Sequence, residues 1–243
     1  MRDYKEIVRR LEALPQAYIL RRALGNVDGY PIYGMALSLD RSLPTMLVIS
    51  GTHGDEPGSQ EAGLAFLEAD HSRWLSHVQI EMIPCLNPYG YVHDTRHNSQ
   101  DVDINWAFLR DDVPEVTLVR KLIEGRRFEA VIDLHEDWES PGFYLYELTR
   151  GVRSIGQEIT QRVADALPLN LSPVIESEKA RNGVIHPDLE AEKRRKGAGI
   201  PVALFQRHTD HLITTETPTD AEMTPRTRAH LIALEQMMDA HCG

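Results

Sequence analysis

The sequence predicts an α/β fold, a mixed central β-sheet flanked by helices. Short, nearly all-apolar runs such as "TMLVIS" and "EAVIDLHE" suit strands buried on both faces. Segments with apolar residues at helical spacing alternate with them. Near the start, two apolar stretches flank an Asp-Gly pair, the signature of an antiparallel hairpin. A chain of 243 residues is long enough for one substantial core. We read it as a single domain over 1–243, with a lid or insertion in the loop-rich, charged stretch at about 173–199.

The elements follow in order. "MRDYKEIVRRLEAL" is charged and helix-like. "YILRRALGNVDGYPIYGMALSL" is the hairpin, and "TMLVIS" is a buried strand bounded by Pro and Gly. "SQEAGLAFLEAD" has helical spacing, with Ala62, Ala65, Phe66 and Ala69 on one side. In "VQIEMIPCLNP" a strand places Val78, Ile80 and Met82 on one face. "VPEVTLVRKLIEGRRF" predicts a helix, "EAVIDLHE" and "GFYLYEL" strands, "GVRSIGQEITQRVADAL" a helix, and "HLITTET" a late strand. Thr224 and Pro225 look like an N-cap and a first-turn proline for a last helix through Leu231, Leu234 and Met238.

Composition narrows the function. Net charge is -11, and the 26 Lys and Arg form no stripe; "EKRRKG" is their densest cluster. Nucleic acid and anionic membranes are therefore not expected partners. Two distant cysteines, Cys85 and Cys242, make neither a disulfide framework nor a cysteine metal site. With no apolar run of spanning length and no signal-type start, the expectation is a cytoplasmic enzyme. Eleven histidines invite a search for metal ligands.

His53-x-x-Glu56 follows directly on a buried strand. Two ligands three residues apart can meet one ion across a helical turn. Chance alone gives about one such pair in a chain with 11 His and 20 Glu, so the spacing decides nothing by itself. Position is more informative, because ligands of open α/β sheets sit beyond strand carboxyl ends. His53 sits at such an end, and so does His135 in "VIDLHED". Two His and one Glu leave a fourth position open, the catalytic rather than the structural pattern for zinc.

Glu216 in "LITTETP" interrupts an apolar, β-branched run, where a carboxylate is costly unless it has a partner or a task. Beside an activated water its task would be general base and acid. In the polar segment "NPYGYVHDTRHNSQDVDINWAF", Arg96 could stabilise an oxyanion and Asp103 could accept a proton from a ligand histidine. Glu136, Asp137 and Glu139 beside His135 read either as a solvated acidic loop or as a lining favouring a cationic substrate.

The order His-x-x-Glu, Asn-Pro-x-Gly, Thr-Arg-x-Asn, x-Asp-x-Asn, strand-His and late strand-Glu resembles the zinc metallocarboxypeptidase superfamily. That group includes pancreatic-type carboxypeptidases, murein peptide amidases and the succinylglutamate desuccinylase/aspartoacylase branch. The similarity runs from about Leu47 to Pro218. It implies a carboxypeptidase-like fold and one Zn2+ per chain held by His53, Glu56 and His135. It implies Glu216 as general base and acid, Arg96 as oxyanion stabiliser, Asp103 behind the first histidine, and Asn105 on the substrate carboxylate. The family motif usually continues Asn-Arg, and here Trp106 follows Asn105. A tryptophan cannot grip a carboxylate bidentately; Arg181, Lys179 and Arg110 are the candidates to replace that cation. The expected activity is hydrolysis of amide bonds in small peptides. N-acyl amino acid deacylation, and zinc binding without catalysis, remain the alternatives.

Overall fold

A computed structural model describes residues 1–190 and 199–242. Among the described residues the strands, numbered along the chain, form one ten-stranded mixed sheet in the order β1-β2-β4-β3-β5-β10-β6-β9-β8-β7. Hairpin β1 (Ile19–Val27) and β2 (Tyr30–Leu37) turns at Asp28-Gly29, both with positive φ, as the Asp-Gly signal predicts. The centre is parallel: β4 (Gln79–Ile83), β3 (Thr45–Ser50), β5 (Val131–Asp137) and β10 (His211–Pro218). β6 (Tyr144–Thr149) then runs antiparallel to β10.

Period-two alternation divides the central strands between two cores. Met46, Val48, Ile132, Leu134 and Ile213 face one core. There they meet α1 (Tyr4–Ala13), α2 (Pro57–Glu68), α6 (Gly156–Val163) and α8 (Met223–His241). Leu47, Ile49, Val131 and Leu212 face the other, packed on α5 (Pro114–Ile123) and α7 (Ile200–Arg207). Two short helices, α3 (Ser72–Leu75) and α4 (Pro88–His93), flank β4.

Three details differ from the sequence reading. The last helix begins at Met223, with Glu222 as N-cap and no side-chain cap bond, so Thr224 is already helical. In α2, Ala62 and Phe66 are buried and Ala65 is half-buried, whereas Ala69 is exposed because the helix ends at Glu68 and Ala69 is its C-cap. In the stretch read as loop-rich, β7 (Val174–Ile175), β8 (Glu178–Arg181) and β9 (Val184–Ile185) extend the sheet. Pro187 and Leu189, further along that predicted lid, line a cavity, and residues 191–198 of the same stretch lie outside the described residues. Among the described residues no helix is long and apolar enough to cross a membrane.

Candidate metal centre

β3 ends at Ser50, and the chain turns through Gly51, whose φ is +67°. It delivers His53 and then Glu56, the N-cap of α2, with Pro57 opening the helix. The turn is pinned from two sides. Gln60 Nε2 donates to the His53 carbonyl at 3.2 Å. Gly54 lies so close to Gly90 that a Cβ there would overlap the Gly90 backbone. His135 arrives on β5, one residue before Glu136 and two after Asp133.

These residues converge. His53 Nδ1 is 2.6 Å from Glu56 Oε1, His135 Nδ1 is 3.0 Å from Glu56 Oε2, and the two Nδ1 atoms are 3.2 Å apart. All three side chains are buried. The far nitrogens each face a carboxylate: His53 Nε2 is hydrogen-bonded to Asp103 Oδ1 at 3.0 Å, and His135 Nε2 lies 3.2 Å from Asp133 Oδ2 as an ion-pair contact without hydrogen-bond alignment. A carboxylate facing Nε2 favours the tautomer protonated there, which leaves a lone pair on each Nδ1. Against burial, the surrounding carboxylates raise the pKa of both rings, so protons on Nδ1 satisfy Glu56 where no ion is bound, and a cation would take their place. The donor set therefore fits a divalent metal with three protein ligands and an open position.

Asp103 is shared. Besides backing His53, its Oδ2 accepts from Arg96 Nε at 3.0 Å, and its Oδ1 accepts from the Asn105 backbone N–H at 3.0 Å. Arg96 Nη1 also donates to Glu56 Oε1 at 3.1 Å. Burial pushes the Asp103 and Glu56 carboxyls up, but His53 pulls both well below the ordinary carboxylate range, with Arg96 adding to Asp103 and His135 to Glu56. Burial pushes Glu216 well above that range; His135 opposes the rise, while Glu56 and Asp137 add to it. A dication beside it would draw it back down.

A cavity of about 280 Å³ opens onto the centre. Of the residues singled out from sequence, His53, Glu56, Arg96, Asn105, Trp106, His135 and Glu216 line it, while Asp103 stands behind His53. Asn105 Oδ1 is buried without a hydrogen-bond partner among the described residues. Asp137 and Glu139 line the cavity, and Glu136 borders it while its buried carboxylate turns to the other face of the sheet and pairs with Arg226. Tyr144 and Tyr146 line it from alternate positions of β6, and Tyr144 Oη donates to Asp137 Oδ2 at 2.9 Å. Arg181, Lys179 and Arg110 do not line it; Arg110 pairs with Asp112, leaving Arg96 the one cation among the described lining residues. His208 and His211 bond elsewhere, to the Arg126 carbonyl and to Glu147. Sequence reasoning missed Asp133, although an aspartate two residues before His135 in an apolar strand must share its face.

A family model described as "Protein of unknown function (DUF2817)" matches residues 35–141. Carboxypeptidase SOL1 of Arabidopsis thaliana is 25% identical over 160 residues, covering 54% of this chain and 31% of the relative. The match thus spans about a third of that relative's length. A candidate metallopeptidase from Shewanella baltica superposes with a TM-score of 0.81 at 20% identity, covering 99% of this chain and 91% of its own. A metallo-carboxypeptidase from Pseudomonas aeruginosa, in complex with (2-guanidinoethylmercapto)succinic acid, gives a TM-score of 0.71 at 17% identity, covering 97% and 67%. The chain has the metallocarboxypeptidase fold, as its motif order implies.

Proposed function

We propose that this chain is a zinc-dependent hydrolase of amide bonds in small peptides, built as one hydrolase domain in which Glu176, Pro187 and Leu189 border the site. The convergence of His53 Nδ1, His135 Nδ1 and Glu56 at one buried point carries the proposal. Two imidazoles and one carboxylate with an open position are the donor set of catalytic zinc. When bound there, zinc supplies Lewis acidity to a carbonyl oxygen and acidity to water.

The chain's own residues supply the rest. Glu216 holds the proton taken from the attacking water and returns it to the leaving nitrogen, which suits a carboxyl whose pKa is raised by burial. Arg96, bonded to Asp103 and Glu56, keeps a guanidinium at the cavity wall, 42% exposed, where it can meet developing oxyanion charge. Asp103 fixes the tautomer and plane of His53, and the Asp133 carboxylate beside His135 Nε2 favours a proton there. Asn105 and Trp106 contact the substrate. With Trp106 in place of a carboxylate-gripping cation, recognition of a free C-terminus is not the main source of affinity.

The test is hydrolysis by the zinc-loaded protein of a panel of short peptides, C-terminally free and amidated, beside N-acyl amino acids. Cleavage of peptides that is lost on chelation and restored by zinc supports the proposal. Cleavage of acyl amino acids alone replaces the peptidase with a deacylase. Metal binding without cleavage of either replaces the enzyme with a binding protein.

A further inference from the structure

We infer that Glu136 and Arg226 are positioning residues for the metal centre, acting from the opposite face of the sheet to set how tightly Glu56 holds its ion. The inference rests on the zinc-hydrolase reading above and deepens it.

The geometry follows from strand alternation. His135 and Glu216 point into the cavity, so their neighbours Glu136, Thr215 and Thr217 point the other way, toward α2 and α8. There the Glu136 carboxylate, fully buried, gathers three donors. Gly58 N–H donates to Oε2 at 2.7 Å, Thr217 Oγ1 to Oε1 at 3.0 Å, and Arg226 Nη1 to Oε1 at 2.9 Å. The Glu136 backbone N–H donates in turn to Glu56 Oε2 at 3.1 Å. One residue therefore grips the α2 start twice, at the ligand carboxylate and two residues beyond it. Glycine at position 58 permits this, since a Cβ there would overlap Glu136 Oε1.

A directed hydrogen-bond chain tightens the arrangement. Thr217 spends its only proton on Glu136, so it must accept from His230 Nε2 at 3.1 Å. His230 Nδ1 must then accept from Thr215 Oγ1, at 2.9 Å. Thr215 and Thr217 flank Glu216, so α8 orients the strand that carries the proposed base as well as the loop that carries the ligand. Isolated, the Glu136 charge would be costly in this interior; Arg226 offsets it.

A purely structural ion pair would affect only folding, and a positioning role would affect metal affinity too. The experiment compares zinc affinity by chelator competition, the visible spectrum of the cobalt-substituted protein, and urea stability. The variants are Glu136→Gln/Arg226→Met, Thr217→Val and, as a destabilised control, Glu147→Gln, whose buried carboxylate is held by His211 and the start of α6 rather than by the metal centre. We expect the double variant to fold yet lose about 10–100-fold in zinc affinity with an altered cobalt spectrum. Thr217→Val, which keeps both charges, should show a smaller loss in the same direction and covers the case in which the double variant fails to fold. Glu147→Gln should lose stability and keep native affinity. Native-like affinity and spectrum in the Glu136 and Thr217 variants, or an equal loss in Glu147→Gln, overturn the inference while leaving the hydrolase reading intact. A native chain that binds no zinc removes both.

Discussion

Glu216 and His135 occupy the same register position on neighbouring parallel strands, β10 and β5. Both side chains face one cavity, at a spacing of about 4.8 Å between strands. A base beside a ligand, but outside the set of convergent donors, should be separable from metal binding. Glu216→Gln is expected to keep its zinc and lose about 10²–10⁴-fold in kcat. Metal analysis and steady-state kinetics on one preparation check this, and a variant that stays active shows that Glu216 is not the base.

Arg96 bonds to Asp103 and Glu56 through two different nitrogens. Arg96→Met should cost about 10²–10³-fold in kcat, as for loss of an oxyanion donor. Arg96→Lys should recover little of it, because an ammonium cannot make both bonds in that plane. A loss below tenfold in the methionine variant would assign the oxyanion to other groups.

Trp106 stands beside Asn105 in the cavity wall, in a lining whose one described cation is Arg96. Trp106→Arg should raise kcat/KM for peptides with a free C-terminal carboxylate relative to their amides, since a guanidinium can pair with carboxylate bidentately. An unchanged free-acid to amide ratio would show that position 106 does not meet the substrate terminus.

His230 is fully buried between two threonines, and its pKa is pushed down to about 3, first by burial and then by His135. Its ordinary value is near 6.5. Between those values the unfolded chain takes up a proton that the folded chain refuses, so stability is full above pH 6.5 and falls as pH drops toward 3. His230→Asn should therefore flatten the acid limb of the stability curve by up to about 1.4 kcal/mol per pH unit. Parallel limbs in urea titrations of native and variant would contradict this.

Much of this was legible from sequence, for identifiable reasons. β3 and β5 are buried on both faces, so their apolar runs carried the signal and put His53 just past β3; His135, read as following its strand, lies within β5, which continues to Asp137. Asp28-Gly29 dictated its hairpin. β7, β8 and β9 are two to four residues long, β8 reads Glu-Lys-Ala-Arg, and the β7–β8 turn places Glu176 and Ser177 at positive φ without a glycine, so apolar patterning carried no signal there. Asn182-Gly183, both at positive φ between β8 and β9, is a hairpin signal of the same kind as Asp28-Gly29 that the sequence reading passed over. The support behind the centre was also hidden. Arg226 lies 90 residues from Glu136, and only the packing of α8 on β5 and β10 brings them together.

The most direct test is metal content by mass spectrometry of protein purified without added metal, beside a His53→Ala/His135→Ala variant. The account predicts about one zinc per native chain, lost in a variant that still folds. A native chain that takes up no zinc even on reconstitution would contradict it, leaving the metallocarboxypeptidase fold without its chemistry.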